Sequence, residues 1–185
     1  MSRAFLYTHS DTDSTQTGVT CLSDRDVSVR QRAVKLLGVS AKGKDDVVDE
    51  LMNIALDSDG NLGWQSTPEG RQFAVKALSI VAEVGDEEVC DALVSIIDDD
   101  ERLVRQATAD ALKKVTAKDD IDTISMLMEI RDKPDREWRQ KGELVKEIRA
   151  SVTGVLQVHI PPPCRNPELV QSARPFCIKG FALCN

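Results

Sequence analysis

Aromatic residues are scarce in this sequence: two Trp, one Tyr and four Phe make up 4% of 185 residues. A core cannot be built from so few rings, so Ala, Val, Leu and Ile must supply it, a mix that suits helices packed closely on helices. Histidine is scarcer still, with two residues, and no Cys-x-x-Cys occurs. The five cysteines (Cys21, Cys90, Cys164, Cys177 and Cys184) are odd in number, which argues against both a structural zinc site and a disulfide framework. A reducing, cytoplasmic setting is the expectation. No apolar run approaches the roughly 18–20 residues needed to span a bilayer, so no membrane segment is expected. The opening MSRAFLYTHSDTDSTQTG has no secretory h-region and carries acids early, unlike a signal or transit peptide. Basic excess is also missing: 31 Asp and Glu against 24 Lys and Arg leave a net charge of −7, the wrong sign for a phosphate backbone, so no nucleic acid partner is expected.

Composition divides the chain into three. Residues 1–22 are polar, without sustained period, and read as a disordered leader. Residues 23–152 are strongly helical in pattern. Residues 153–185 hold five of the seven prolines and three of the five cysteines and read as an irregular tail. That tail has a net charge of +2, so the preceding 152 residues carry −9.

The middle repeats itself. Val29-Arg-Gln-Arg-Ala-Val-Lys-Leu-Leu37 aligns with Gly70-Arg-Gln-Phe-Ala-Val-Lys-Ala-Leu78 and with Val104-Arg-Gln-Ala-Thr-Ala-Asp-Ala-Leu112. A degenerate fourth copy starts at Trp138, with Gly142 in place of Ala and Lys146 in place of Leu. A second element keeps the same offsets, beginning at Asp45, Asp86 and Asp120. Both elements are amphipathic. Val29, Ala33, Leu36 and Leu37 form one helical stripe, and so do Val89, Leu93, Ile96 and Ile97. Asp26, Thr67 before Pro68, Asp45, Asp86 and Asp135 stand where N-caps belong. Gly43 and Gly85 can end the preceding helices. Helices are predicted near 26–39, 46–57, 67–84, 86–97, 100–116, 120–131 and 135–152.

The pattern Asp-x-x-Val-Arg-x-x-Ala-x-x-x-Leu, a short Gly/Asp turn and a second apolar helix resembles HEAT repeats, most closely the short repeats of the phycobilin lyase type. DRDVSVRQRAVKLLG and DDDERLVRQATADAL carry the resemblance. It implies an all-α fold: a short right-handed α-solenoid of antiparallel helix pairs, about three pairs plus a closing helix. It is nearly silent on activity. The iron-binding hydroxylases of this class use repeated His-Glu pairs, and neither His9 nor His159 is followed by Glu.

Two features offer binding chemistry. Arg30, Arg71, Arg105 and Arg139 recur once per repeat and should form a row. They make either a groove for anions or acidic peptides, or a structural ladder in which each Arg bonds a loop Asp, with Asp57, Asp98 and Asp132 as natural partners. The first offset is 41 residues where the next two are 34, so a loop is inserted between Asp57 and Thr67. Asp57, Asp59 and Asn61 match the first positions of an EF-hand loop, but Leu62 and Pro68 break the pattern, and no metal is expected. Trp64 in that loop is either an interface anchor or folded back onto the helices. Catalytic motifs are absent: no GxSxG, HExxH or P-loop occurs. Cys90 reads as a small helical residue. No cofactor is expected. The leading expectation is a non-enzymatic interaction scaffold for a protein with basic or amphipathic segments, binding through the first-helix array and the loop around Trp64. The resemblance alone implies an alternative, a phycobilin lyase-like subunit or factor in tetrapyrrole attachment. A third reading makes the chain part of a longer array.

Overall fold

The computed structural model describes residues 14–63, 67–133 and 144–160. Every regular element among them is helical. After α1 (residues 14–20) and a 3₁₀ turn, Cys21–Ser23, come α2 (Val27–Ser40), α3 (Asp45–Leu56), α4 (Pro68–Val81), α5 (Glu87–Ser95), α6 (Arg102–Val115), α7 (Ile121–Asp132) and α8 (Leu144–His159). The first helices α2, α4, α6 and α8 pack on one another in chain order. The second helices α3, α5 and α7 form the opposite layer, and each also packs on the next first helix: α3 on α4, α5 on α6, α7 on α8. This is a short HEAT-like solenoid of three helix pairs and a closing helix.

Local chemistry sets the boundaries. Asp26, Thr67, Asp86 and Asp120 each accept a backbone N–H of the first helical turn. Asp45 differs from the expectation: it lies inside α3, and Lys44 holds the cap position without a side-chain bond. Gly43 and Gly85 adopt φ of +69° and +87°, a region costly for residues with a Cβ. That conformation aims each amide at the next repeat. Gly43 donates to the Val81 carbonyl at 3.1 Å and Gly85 to the Val115 carbonyl at 2.7 Å. The turns thereby satisfy carbonyls that a helix C-terminus leaves open and join successive repeats through the main chain.

The core is aliphatic, as the shortage of rings requires. Leu37, Leu51, Leu78, Leu93, Leu112, Leu127 and Ile148 are fully buried along its length. Cys90 belongs to it on α5, where burial pushes the thiol above its ordinary range.

Both ends of the array differ from the sequence expectation. The segment read as leader is helical over 14–20. Thr15, Val19 and Leu22 are buried, and Gln16 Nε2 donates to Glu50 Oε1 at 3.0 Å. Residues 21–23 pack on α2 and α4, so this segment covers the first repeat. The hydrophobic signal was weak because a Thr shares that buried face. At the other end α8 continues past residue 152 to His159, burying Val155, Leu156 and His159. A cut after Val152 would therefore remove packed core rather than an irregular tail.

His159 is 6% exposed, and burial holds its pKa below the ordinary 6.5. The unfolded chain takes up this proton as pH falls through about 6.5, while the folded chain takes it up only at lower pH. The associated stability is present above that pH and is lost on acidification. The melting temperature is expected to fall between pH 7.5 and 5.5 more steeply in the natural protein than in His159→Leu. Identical slopes in the two proteins would show that the buried imidazole carries none of the dependence.

Candidate interaction surface

The arginine row sits at the entry to each first helix. Arg30 Nη1 donates to the carbonyls of Asp24 and Arg25 at 2.5 and 3.2 Å. Arg105 Nη1 donates to those of Asp99 and Asp100 at 2.7 and 2.8 Å. The acceptors are the same in both repeats, six and five residues before the arginine. Asp24 and Asp99 are also equivalent in a second way: their carboxylates accept the amides of Asp26 and Glu101. Each arginine thus braces a loop that an Asp side chain has already turned.

From that anchor the side chains reach the next repeat. Arg105 Nη2 meets Glu147 Oε2 on α8 at 2.7 Å. Arg71 Nη2 contacts both oxygens of Asp99 at 3.2 Å, in a pair whose side chains are 7% and 5% exposed. Arg71 thus pairs with Asp99, one residue beyond the Asp98 that periodicity suggested. Asp57, also expected in this role, closes its own loop by accepting the amides of Asn61 and Leu62, and Asp132 bonds its neighbour Arg131. Arg71 and Arg105 are 6% and 1% exposed, with their guanidiniums engaged inside the array.

The fourth position changes identity. Arg139 lies outside the described residues. On α8 the buried series Ile148, Val152, Val155 and Leu156 matches Val104, Thr108, Ala111 and Leu112 of α6, which puts Arg149 at the place of Arg105. Arg149 Nη2 donates to the Lys133 carbonyl at 2.6 Å, again gripping the chain that precedes its helix. The sequence holds the signal, since Ile148-Arg149 is followed by Leu156 at the consensus spacing. The Arg-Gln pair at Arg139-Gln140 masked it. The register then places a second insertion between α7 and α8, so the loop after Asp57 is not the sole departure from regular spacing.

Trp64 also lies outside the described residues. The part of its loop that is described, through Gly63, borders a cleft of about 660 Å³. The lining of this cleft includes Leu56, Ser58 and Asp59, Pro68 and Arg71 from α4, and Ile96 with the run Asp98–Glu101. Five carboxylates face one guanidinium there, and that guanidinium is already paired with Asp99. A second trough, of about 550 Å³, runs between α3 and α5 and is lined by Asp49, Met52, Asn53, Leu56, Glu88, Asp91, Ala92 and Ser95. The two share Leu56 and Ser95, so they meet there, with Leu56 43% exposed at the junction.

Charge is sorted by layer. The second helices α3 and α5 carry Asp45, Asp46, Asp49, Glu50, Glu87, Glu88 and Asp91 and no Lys or Arg. The first helices α2 and α6 carry Arg30, Arg32, Lys35, Arg102, Arg105, Lys113 and Lys114 against the single acid Asp110. A net charge hides this division. Assigning each charge to its helix type would have exposed it. Among the described residues no group of three or more His, Cys, Asp or Glu is placed to hold a metal ion, and no helix is long and apolar enough to cross a membrane.

In comparison with known proteins, residues 62–144 match the family described as HEAT repeats. That span covers α4 through α7, the second and third repeats. The first repeat, outside the match, repeats the Asp24–Arg30 bracing seen at Asp99–Arg105. No curated protein and no solved structure matches the chain.

Proposed function

We propose that the protein is a non-enzymatic interaction scaffold whose partner presents a basic amphipathic segment. The observation that carries this reading is the continuous acidic surface formed by the α3/α5 trough and the adjoining cleft. Carboxylates rim both, and Met52 and Leu56 supply apolar contact between them. Cationic side chains of a partner would meet Asp49, Glu88 and Asp91, and an apolar stripe would cover Leu56. HEAT repeats serve protein binding in general, which agrees with such a role. The surface pairs the inserted loop with the second helices, where sequence reading paired it with the first. Trp64, in the same loop, acts as an anchor in this reading. Association is steered by charge and weakens as salt screens it. A reducing, cytoplasmic setting suits the free thiols of Cys21 and Cys90.

The test uses a helical Lys/Leu amphipathic peptide, with binding followed by fluorescence anisotropy. The double variant Asp49→Lys/Asp91→Lys should bind at least tenfold more weakly, and Trp64→Ala should lose about 2 kcal/mol, the threshold for an interface hot spot. Unchanged affinity in the charge-reversed protein sinks the acidic-surface reading. The finer resemblance to phycobilin lyase repeats gives a different expectation, a shift in the absorption spectrum of added bilin.

A further inference from the structure

The first rung of the arginine row differs from the others in what it meets. Arg71 has the carboxylate of Asp99 and Arg105 has that of Glu147. Arg30 forms no ion pair among the described residues. The carbonyls of Asp24 and Arg25 fix its Nη1, while its Nε is buried without a hydrogen-bond partner. Its guanidinium lies 4.9 Å from the centroid of the Phe73 ring, and the Lys76 ammonium lies 4.4 Å from the same centroid. Two cations therefore share one buried ring. Burial, and then the charge of Arg30, hold Lys76 below the ordinary lysine pKa. Ring faces attract cations, but they do not cancel the repulsion between two of them. Asp110 is the acid that acts on Lys76, and its carboxylate is already engaged by Lys113 at 3.1 Å. Glu69 occupies on α4 the place that Glu147 holds on α8, yet among the described residues it makes no ion pair.

We infer that Arg30 and Lys76 form an oxyanion site in the seam between α2 and α4 that accepts a carboxylate from an acidic polypeptide segment. The incoming carboxylate takes the role that Asp99 and Glu147 play at the other rungs. Arg32 and Lys35, exposed on α2, extend the positive field around it. A polyphosphate chain would have to run along a molecule whose first 152 residues carry −9, whereas a short acidic segment needs only this spot. The site belongs to the first-helix layer, so the inference does not rest on the acidic trough.

The probe is N-acetyl-tetraglutamate amide, titrated into the full chain with the arginine side-chain Nε–Hε resonances followed by NMR. Inorganic phosphate at equal ionic strength is the second titrant. The Arg30 resonance should shift saturably with the peptide and respond at least fivefold more weakly to phosphate. Lys76→Gln should weaken peptide binding at least tenfold, and Lys113→Gln less than twofold. Lys76→Glu supplies a carboxylate from within the protein, so it should raise the melting temperature and abolish peptide binding. The inference is overturned if Lys113→Gln matches Lys76→Gln, which would mean diffuse attraction, or if phosphate binds as tightly as the peptide. It is also overturned if Glu69→Gln by itself moves the Arg30 resonance, which would show that Glu69 already fills the place.

Discussion

Asp99→Ala is expected to destabilise the protein by about 3–5 kcal/mol, the scale for removing one partner of a buried ion pair. The residue does three things at once. Its carboxylate neutralises Arg71, in a pair less than one-tenth exposed on either side. The same carboxylate accepts the Glu101 amide at 2.7 Å, turning the chain into α6. Its carbonyl receives Arg105. Alanine keeps only the last of these and removes the buried carboxylate that Arg71 contacts at 3.2 Å. Urea denaturation of Asp99→Ala measures the loss directly. Asp99→Asn, which keeps the hydrogen-bonding oxygen but not the charge, should fall between the two. A double-mutant cycle with Arg71→Met should show strong coupling, because once the guanidinium is gone the carboxylate has less to neutralise. A loss below about 1 kcal/mol would mean that the pair is solvated and does not hold the second and third repeats together.

Arg105→Ala is expected to cost about 3 kcal/mol, again from stranding buried groups more than from the charge pair itself. Glu147 is 49% exposed, so its attraction for Arg105 is largely screened and adds little. The carbonyls of Asp99 and Asp100 matter more. Both accept from Nη1 in a partly buried loop, and the 1% exposed side chain also fills volume that alanine would leave empty. Arg105→Lys should recover only a small part of the loss, since one ammonium cannot span two carbonyls and a carboxylate as a guanidinium fork does. Thermal melts of the two variants check this. If both melt with the natural protein, the loop before α6 is held by something other than Arg105.

The sequence by itself determined the two-helix repeat, because the requirement is local. Apolar residues at helical spacing, an Asp or Thr ahead of a first turn, and Gly where φ must be positive act within a few residues of their own position. The caps at Asp26, Thr67 and Asp86 formed as read, and so did the stripe Val89, Leu93, Ile96 and Ile97, all buried, whereas on α2 Leu36 is 42% exposed and Val34 is buried instead. The tertiary structure decided which member of an equivalent set does the work. Asp98, Asp99 and Asp100 are chemically alike, and only the path of the loop entering α6 turns Asp99 toward Arg71. Two Arg-containing stretches competed for the fourth rung, and burial against α6 selects Arg149. The ends of the array were hidden for a related reason. A face made of Thr15, Val19 and Leu22 carries little hydrophobic signal, and Thr153-Gly154 interrupts the stripe of α8 without ending the helix, so contact with neighbouring helices had to supply what periodicity lacked. The separation of charge between the two helix layers is a matter of assembly as well: each helix has its own charges by sequence, and a positive and a negative surface arise only when like helices stack.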